Sequence, residues 1–111
     1  MAVTYGNIIR NHRGLYFEVT GDGATTALVQ NHLNGVHAGT TATATVLTAP
    51  TGFHPGTSGK GGFIFPTGGT PVTVSSVSVT STSVTVNTSA AVGNGTKAYV
   101  AVVFDQYSAT A

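Results

Sequence analysis

Short stretches in which apolar and polar residues alternate recur along this chain, and this pattern predicts a protein built from β-strands. Between positions 14 and 20, Leu15, Phe17 and Val19 would share one face of an extended chain, while the residues between them share the other. Val and Thr, whose branched side chains suit a pleated surface, dominate the chain, and residues that favour helices are scarce. We therefore expect an all-β fold.

Turn-forming residues divide the alternating pattern into separate strands. The Gly-Asp-Gly turn at 21–23 has the positive-φ residues of a hairpin, so we expect 24–30 to return antiparallel beside 14–20. Asn-Gly at 34–35 is a second hairpin signal, before the Thr- and Ala-rich run 36–48. Many short strands joined in this way favour an antiparallel β-sandwich or a small barrel. The predicted strands are 3–10, 14–20, 24–30, 36–48, 72–79, 83–88 and 97–105.

The last predicted strand is apolar on both faces. In 97–105, Val100 and Val102 face one way, and Tyr99 and its alternate neighbours, which are also apolar, face the other. This is typical of a central strand that is covered on both sides. In the valine-rich segment before it, the alternation changes phase at 75–76, which indicates either a β-bulge or a change of face.

The stretch 50–71 is rich in Gly and Pro and predicts a long loop. Loops of this length are usually functional or disordered. Phe53, Phe63 and Phe65 lie within it, so something is expected to bury them. They either cap the open end of a sandwich core or anchor a neighbouring subunit, because buried aromatic side chains dominate interface energetics.

Charged residues are unusually rare, at 6% of the chain against roughly 25% in an ordinary soluble domain. Such a surface is covered either by hydroxyl groups or by sister subunits, so we expect a homo-oligomer. With a net charge of +1 and four scattered basic residues, nucleic-acid binding is not expected. No apolar run is long enough to span a bilayer, and the first residues do not form a secretion signal, so no membrane partner is expected.

The residues able to carry chemistry are few and scattered. The Gly- and Lys-containing segment 56–61 departs from a phosphate-binding loop at its first Gly and at its final hydroxyl residue. The carboxylates Glu18, Asp22 and Asp105 have no spacing that indicates a catalytic pair. The histidines, which would need to converge to hold a metal, are His12, His32, His37 and His54. We expect a protein that is not an enzyme, with no catalytic residue, no cofactor and no metal site.

The domain organisation is expected to be simple. Residues 1–13 are interpreted as a docking arm, and residues 14–111 as a single β domain. The residues expected to make assembly contacts are basic residues of the arm and aromatic residues of the Gly/Pro-rich loop, namely Arg10, Arg13, Phe53, Phe63 and Phe65.

The valine, serine and threonine texture of 72–79, 83–88, 97–105 and 40–48 resembles that of small structural proteins of tailed-phage virions, above all capsid decoration (cement) proteins. The resemblance implies a β-rich, often trimeric subunit that binds and stabilises a capsid protein lattice without catalysis. It also implies that the protein is found in the virion and is assembled in the host cytoplasm. Its partners would be the phage capsid lattice and further copies of itself.

A carbohydrate-binding or adhesin module is the alternative interpretation. Sugar sites commonly use exposed aromatic platforms, and Tyr5, Tyr16, Tyr99 and Tyr107 are candidates, although the absence of Trp counts against this function. A small hydrolase is the third alternative. Glycan binding would distinguish the second interpretation from the first, and a hydrolase screen would test the third.

Overall fold

The alternating pattern is satisfied by two β-sheets that pack face to face, in a computed structural model whose described residues are 3–10, 14–31, 41–54 and 65–104. The five-stranded sheet has the order β1-β2-β10-β4-β7, and the three-stranded sheet has the order β3-β9-β8. A further pair, β5-β6, forms a small hairpin, and all pairings are antiparallel. The strands are β1 Thr4–Arg10, β2 Gly14–Thr20, β3 Ala27–Gln30, β4 Ala42–Thr48, β5 Gly52–His54, β6 Phe65–Thr67, β7 Thr70–Val72, β8 Val74–Val79, β9 Val84–Thr88 and β10 Lys97–Phe104. The expected all-β, antiparallel sandwich is confirmed.

One continuous apolar core lies between the two sheets. The alternate residues of β2 that were expected to share a face do so, because Leu15, Phe17 and Val19 are all buried there. Leu28 and Val86 close the core from the three-stranded sheet and have no exposed surface. Burying aliphatic and aromatic side chains in this way supplies the main stabilising free energy of such a fold.

The strand β10 is the centre of the five-stranded sheet, as its two apolar faces predicted. It pairs with β2 along one edge and with β4 along the other. Val100 and Val102 point into the core, while Ala101 is buried on the opposite face. That second face is therefore covered as well.

The expected hairpin at 21–23 is wrong, because β3 pairs with β9 in the other sheet rather than with β2. The Gly21 N–H donates to the Thr96 carbonyl at 2.9 Å, and the Gly95 N–H donates to the Gly21 carbonyl at 3.0 Å. A Cβ at Gly21 would overlap the Val92 carbonyl oxygen, so glycine is required at this close approach. The chain thus leaves β2 against the turn before β10 and crosses to the second sheet.

Asp22 organises the chain on the far side of that crossing. Its carboxylate accepts the Ala24 N–H at 2.9 Å, the Thr25 N–H at 2.7 Å and the Thr25 hydroxyl at 2.5 Å. These bonds, led by the one from the hydroxyl, lower the pKa of Asp22 to about 2. The turn chemistry was recognised correctly, but a loop of this kind joins strands of different sheets here.

Two further expectations concern the second half of the chain. The register of β8 against β9 shifts between Val74 and Ser76, so the phase change at 75–76 is a bulge. The described parts of the stretch 50–71 contain β5, β6 and the start of β7, while 55–64 lie outside the described residues. The ends of the expected loop are thus short strands. Within the described ranges, no helix is present that could cross a membrane.

Candidate functional site

The outer face of the five-stranded sheet carries an aromatic cluster directly behind the core. Because strand side chains alternate, the residues of β2 and β10 that do not enter the core project to this outer face. Tyr16 lies opposite Ala101, and Glu18 lies opposite Tyr99, in the β2–β10 register. The rings of Tyr16 and Tyr99 are nearly parallel, with centroids 6.4 Å apart and an interplanar angle of 19°. We call Tyr16, Phe53 and Tyr99 the aromatic face.

The β5-β6 hairpin places Phe53 on these two tyrosines. The Phe53 ring contacts Tyr99 edge-on, with centroids 5.3 Å apart and an interplanar angle of 77°. It contacts Tyr16 edge-on as well, with centroids 6.0 Å apart and an interplanar angle of 84°. Both distances lie in the range that aromatic pairs prefer. Pro66, which is opposite Phe53 in the hairpin, is buried. The hairpin is therefore the cover that the apolar outer side of β10 required.

Phe53 is nevertheless only partly buried, and it has an apolar neighbour on the same side of the sheet. It keeps 45% of its surface exposed. Ile9, opposite Tyr16 in the β1–β2 register, is also 45% exposed. Phe53 and Ile9 are thus two apolar side chains that stay partly open on the outer face of the sheet.

Among the described residues, an ion pair lies on the outer face of the sheet, beside the aromatic face. The Lys97 Nζ lies 3.5 Å from Glu18 Oε1, with the side chain of Glu18 more enclosed than that of Lys97. Burial, followed by the electrostatic effects of Glu18 and then of Tyr99, raises the pKa of Tyr16 well above its ordinary value. Tyr16 is only 5% exposed, so it stays neutral across the physiological range.

The expected assembly residues are only partly described. Phe53 lies on the outer face of the five-stranded sheet, rather than at an open end of the core. Arg10 ends β1 and Phe65 begins β6, but their side chains lie outside the described residues. Arg13 and Phe63 also lie outside them. Of the proposed docking arm, residues 4–10 form the edge strand β1.

The potential metal ligands and acids are also incompletely described. Across the described ranges, no three His, Cys, Asp or Glu side chains come together. The side chains of His54 and of the other three histidines lie outside those ranges, as does Asp105. The Glu18 carboxylate forms an ion pair with Lys97, and the Asp22 carboxylate accepts hydrogen bonds within its turn.

From the sequence, Tyr16 and Tyr99 are candidate sugar platforms, Tyr99 also lies on the outer side of 97–105, and Ile9 belongs to the docking arm 1–13. These predictions did not bring the three residues together. The signal that could have joined them was the apolar outer side of 97–105, which implied a second cover. No protein-family model matches the chain, and the comparisons with curated proteins and with solved structures give no match.

Proposed function

We propose that this chain is a non-enzymatic structural subunit of a tailed-phage virion, of the capsid decoration type, which binds and stabilises a protein lattice. The observation that carries the proposal is the open apolar surface beside the aromatic face, where Phe53 and Ile9 are each 45% exposed. A subunit that must occupy many identical lattice sites needs such apolar contact area. Its partners are the capsid protein lattice and further copies of the chain, as a homotrimer.

The charge distribution supports a docking function at this surface. Desolvating charged side chains is costly, and charged residues are depleted at the centres of protein interfaces. Among the described residues the outer face carries one ion pair, Glu18 with Lys97, beside the aromatic face. Phe53 is held by two ring contacts, so little side-chain freedom is lost when a partner covers it.

The same geometry favours a protein partner over stacking of a sugar on the tyrosines. Tyr16 is buried and Tyr99 is half-buried, because Phe53 meets both rings edge-on. Tyr5 is exposed, but its ring packs near Phe17 and its hydroxyl accepts the Val29 N–H at 3.1 Å. These rings serve packing within the chain.

The location is tested by immunogold labelling of phage particles purified from the source of the sequence, with antibodies raised against the purified chain. Regular labelling over the capsid shell is the expected result. Labelling confined to the tail or fibres would replace the decoration function with an adhesin function, and unlabelled particles would refute the virion proposal. Light scattering after size-exclusion chromatography tests the trimer, and a monomeric chain at every concentration would contradict self-association.

The docking surface is tested with point variants rather than by removal of 1–13, because that deletion would take away the edge strand β1. Ile9→Ser changes an exposed side chain on the proposed surface, and Thr85→Val changes a side chain of the three-stranded sheet as its matched control. Binding to particles stripped of the chain should weaken by about tenfold or more for Ile9→Ser, because an apolar side chain of the proposed surface is replaced by a hydroxyl. Equal binding by both variants would rule out this surface.

A further inference from the structure

A polar depression of about 230 Å³ lies on the outer face of the five-stranded sheet, where β1, β2 and β10 run side by side. It adjoins the aromatic face, because Glu18 in its lining lies opposite Tyr99 in the β2–β10 register. The residues that line it come from three adjacent strands and are Thr4, Tyr5, Gly6, Glu18, Val19, Thr20 and Lys97.

The strand register explains why the depression exists. Thr4 lies opposite Thr20, and Gly6 lies opposite Glu18, so these pairs share one face of the sheet. Lys97 lies opposite Thr20 on the other side of β2 and belongs to the same face. Gly6 has no side chain, and a Cβ added there would meet no described atom within 4 Å. The gap in the row of side chains is the space left by this glycine.

The lining groups define the chemistry of a ligand. Glu18 and Lys97 form an ion pair at 3.5 Å, so the depression offers a hydrogen-bond acceptor and a donor without a net charge. Thr4 and Thr20 add hydroxyl groups, which both donate and accept. Hydrogen bonds to charged groups are the stronger ones, and a carboxylate can accept two neighbouring hydroxyls at once. The matching ligand is neutral and carries several adjacent hydroxyl groups.

The volume limits the size of that ligand. At roughly 30 Å³ of liquid volume per water, the depression holds the equivalent of about eight waters. One sugar ring is of this size, whereas a longer oligosaccharide would have to extend into solvent. We propose that this depression binds one neutral monosaccharide unit, free or at the end of a glycan. The site goes beyond the lattice-binding function and does not depend on it.

The pairing of the two charges argues against inorganic ions as ligands. An inorganic anion would meet the Glu18 carboxylate, and a metal cation would meet the Lys97 ammonium group. A zwitterion such as glycine can pair with both charges at once, so it is the competing ligand. A neutral polyol can add its hydroxyls to Glu18 and Lys97 while the two remain together.

The test is a titration of the ¹⁵N-labelled chain with D-glucose, D-galactose, D-mannose and N-acetyl-D-glucosamine, monitored by amide chemical shifts. At least one sugar should give saturable shifts confined to 4–6, 18–20 and 97. Gly6→Leu fills the depression, and Glu18→Gln removes the charged acceptor. Glu18→Gln should weaken binding by about tenfold or more, since a hydrogen bond to a charged group is worth about that factor. Gly6→Leu should weaken it at least as much, because its side chain occupies the space of the ligand. Thr85→Val, on the other sheet, should bind as the parent chain does.

Several results would overturn the proposal. One is the absence of saturable shifts with all four sugars, and another is equal binding by the parent chain and Gly6→Leu. A third is glycerol shifts equal to those of the sugars, which would show only general polyol contact. A response to glycine but not to the sugars would assign the depression to a zwitterion instead. If Gly6→Leu does not fold, Glu18→Gln decides the question alone. None of these results depends on the labelling of phage particles, so this site and the lattice-binding function fail separately.

Discussion

The contact between Phe53 and Tyr99 is the best place to test whether the hairpin closes over the sheet as described. Their ring centroids are 5.3 Å apart at an interplanar angle of 77°, the edge-on arrangement that aromatic rings prefer. Such a pair is worth about 0.5–1.5 kcal/mol beyond the area that it buries. Phe53 makes a second contact of this kind with Tyr16, so its aromatic contacts together contribute about 1–3 kcal/mol.

Two substitutions separate this aromatic contribution from simple burial. Phe53→Leu keeps most of the apolar surface but loses both ring contacts, so it should lower the free energy of unfolding by about 1–3 kcal/mol. Phe53→Ala also loses the buried part of the side chain. Because Phe53 is about half-exposed, the total cost of Phe53→Ala, ring contacts included, should exceed that of Phe53→Leu but stay below the upper end of the roughly 3–5 kcal/mol seen for buried phenylalanines.

A double-mutant cycle isolates the pair. The cycle of Phe53→Leu with Tyr99→Leu should give a coupling of about 0.5–1.5 kcal/mol. The control cycle pairs Phe53→Leu with Tyr5→Leu, since Tyr5 packs near Phe17 and not against the hairpin. Substitutions without shared partners add to within about 0.5 kcal/mol, so the control coupling should be close to zero.

The assay is urea unfolding followed by circular dichroism, because the chain has no Trp to report on unfolding. Hydrogen exchange at Thr51, whose N–H donates to the Thr67 carbonyl, reports on opening of the hairpin alone. A coupling in the Phe53–Tyr99 cycle equal to that of the control, with unchanged exchange at Thr51, would refute the placement of Phe53 on the aromatic face.

Three other substitutions test the core and the titrating groups. Leu28→Ala should cost about 2–5 kcal/mol in urea unfolding, because Leu28 is fully buried between the sheets, and a loss below 1 kcal/mol would contradict the packing. The ionised Asp22 carboxylate stabilises the fold, and this contribution is lost as pH falls from about 4 to about 2. In Asp22→Asn the melting temperature should therefore depend less on pH across that window. The same pH dependence in the variant and the parent chain would contradict this. Because burial raises the pKa of Tyr16, its contribution to stability should be intact below pH about 10 and be lost above it. The melting temperature of Tyr16→Phe should therefore fall less steeply with alkaline pH than that of Tyr5→Phe. Equal falls would contradict this.

The positions of the longer strands were predictable because they follow from local alternation, whereas the three-residue strands β5, β6 and β7 were not predicted. The segment 14–20 coincides with β2, and the described part of 97–105 coincides with β10. The crossing at 21–23 was not predictable in this way, since Gly and Asp form tight turns both within a sheet and between sheets. The bond between Gly21 and Thr96 joins segments that are far apart in sequence. No local pattern contains that partner.

The candidate site was predictable in its parts but not in its assembly. The two apolar faces of 97–105 required a second cover, and Phe53 required something to pack against. Both needs are met by one contact between β10 and the hairpin. The depression at Gly6 depends on which strand lies beside which, because a glycine in a strand creates a space only where its cross-strand neighbours are larger. That arrangement is a property of the sheet order.

The way the sheet edges are closed supports association through a face rather than through an edge. Exposed edges invite strand pairing, and proteins commonly block them with charged side chains, which this chain nearly lacks. Here β7 is three residues long and contains Pro71, and β8 carries a bulge at 75–76. The short edge strand β3 gives its Val29 N–H to the Tyr5 hydroxyl. The edge strand β1 likewise has an irregular register between Gly6 and Ile9. Short strands, a proline, bulges and the Tyr5 hydroxyl thus perform the protection that lysines perform elsewhere. The open surface around Phe53 and Ile9 can then remain apolar and available to a partner without inviting indiscriminate edge pairing.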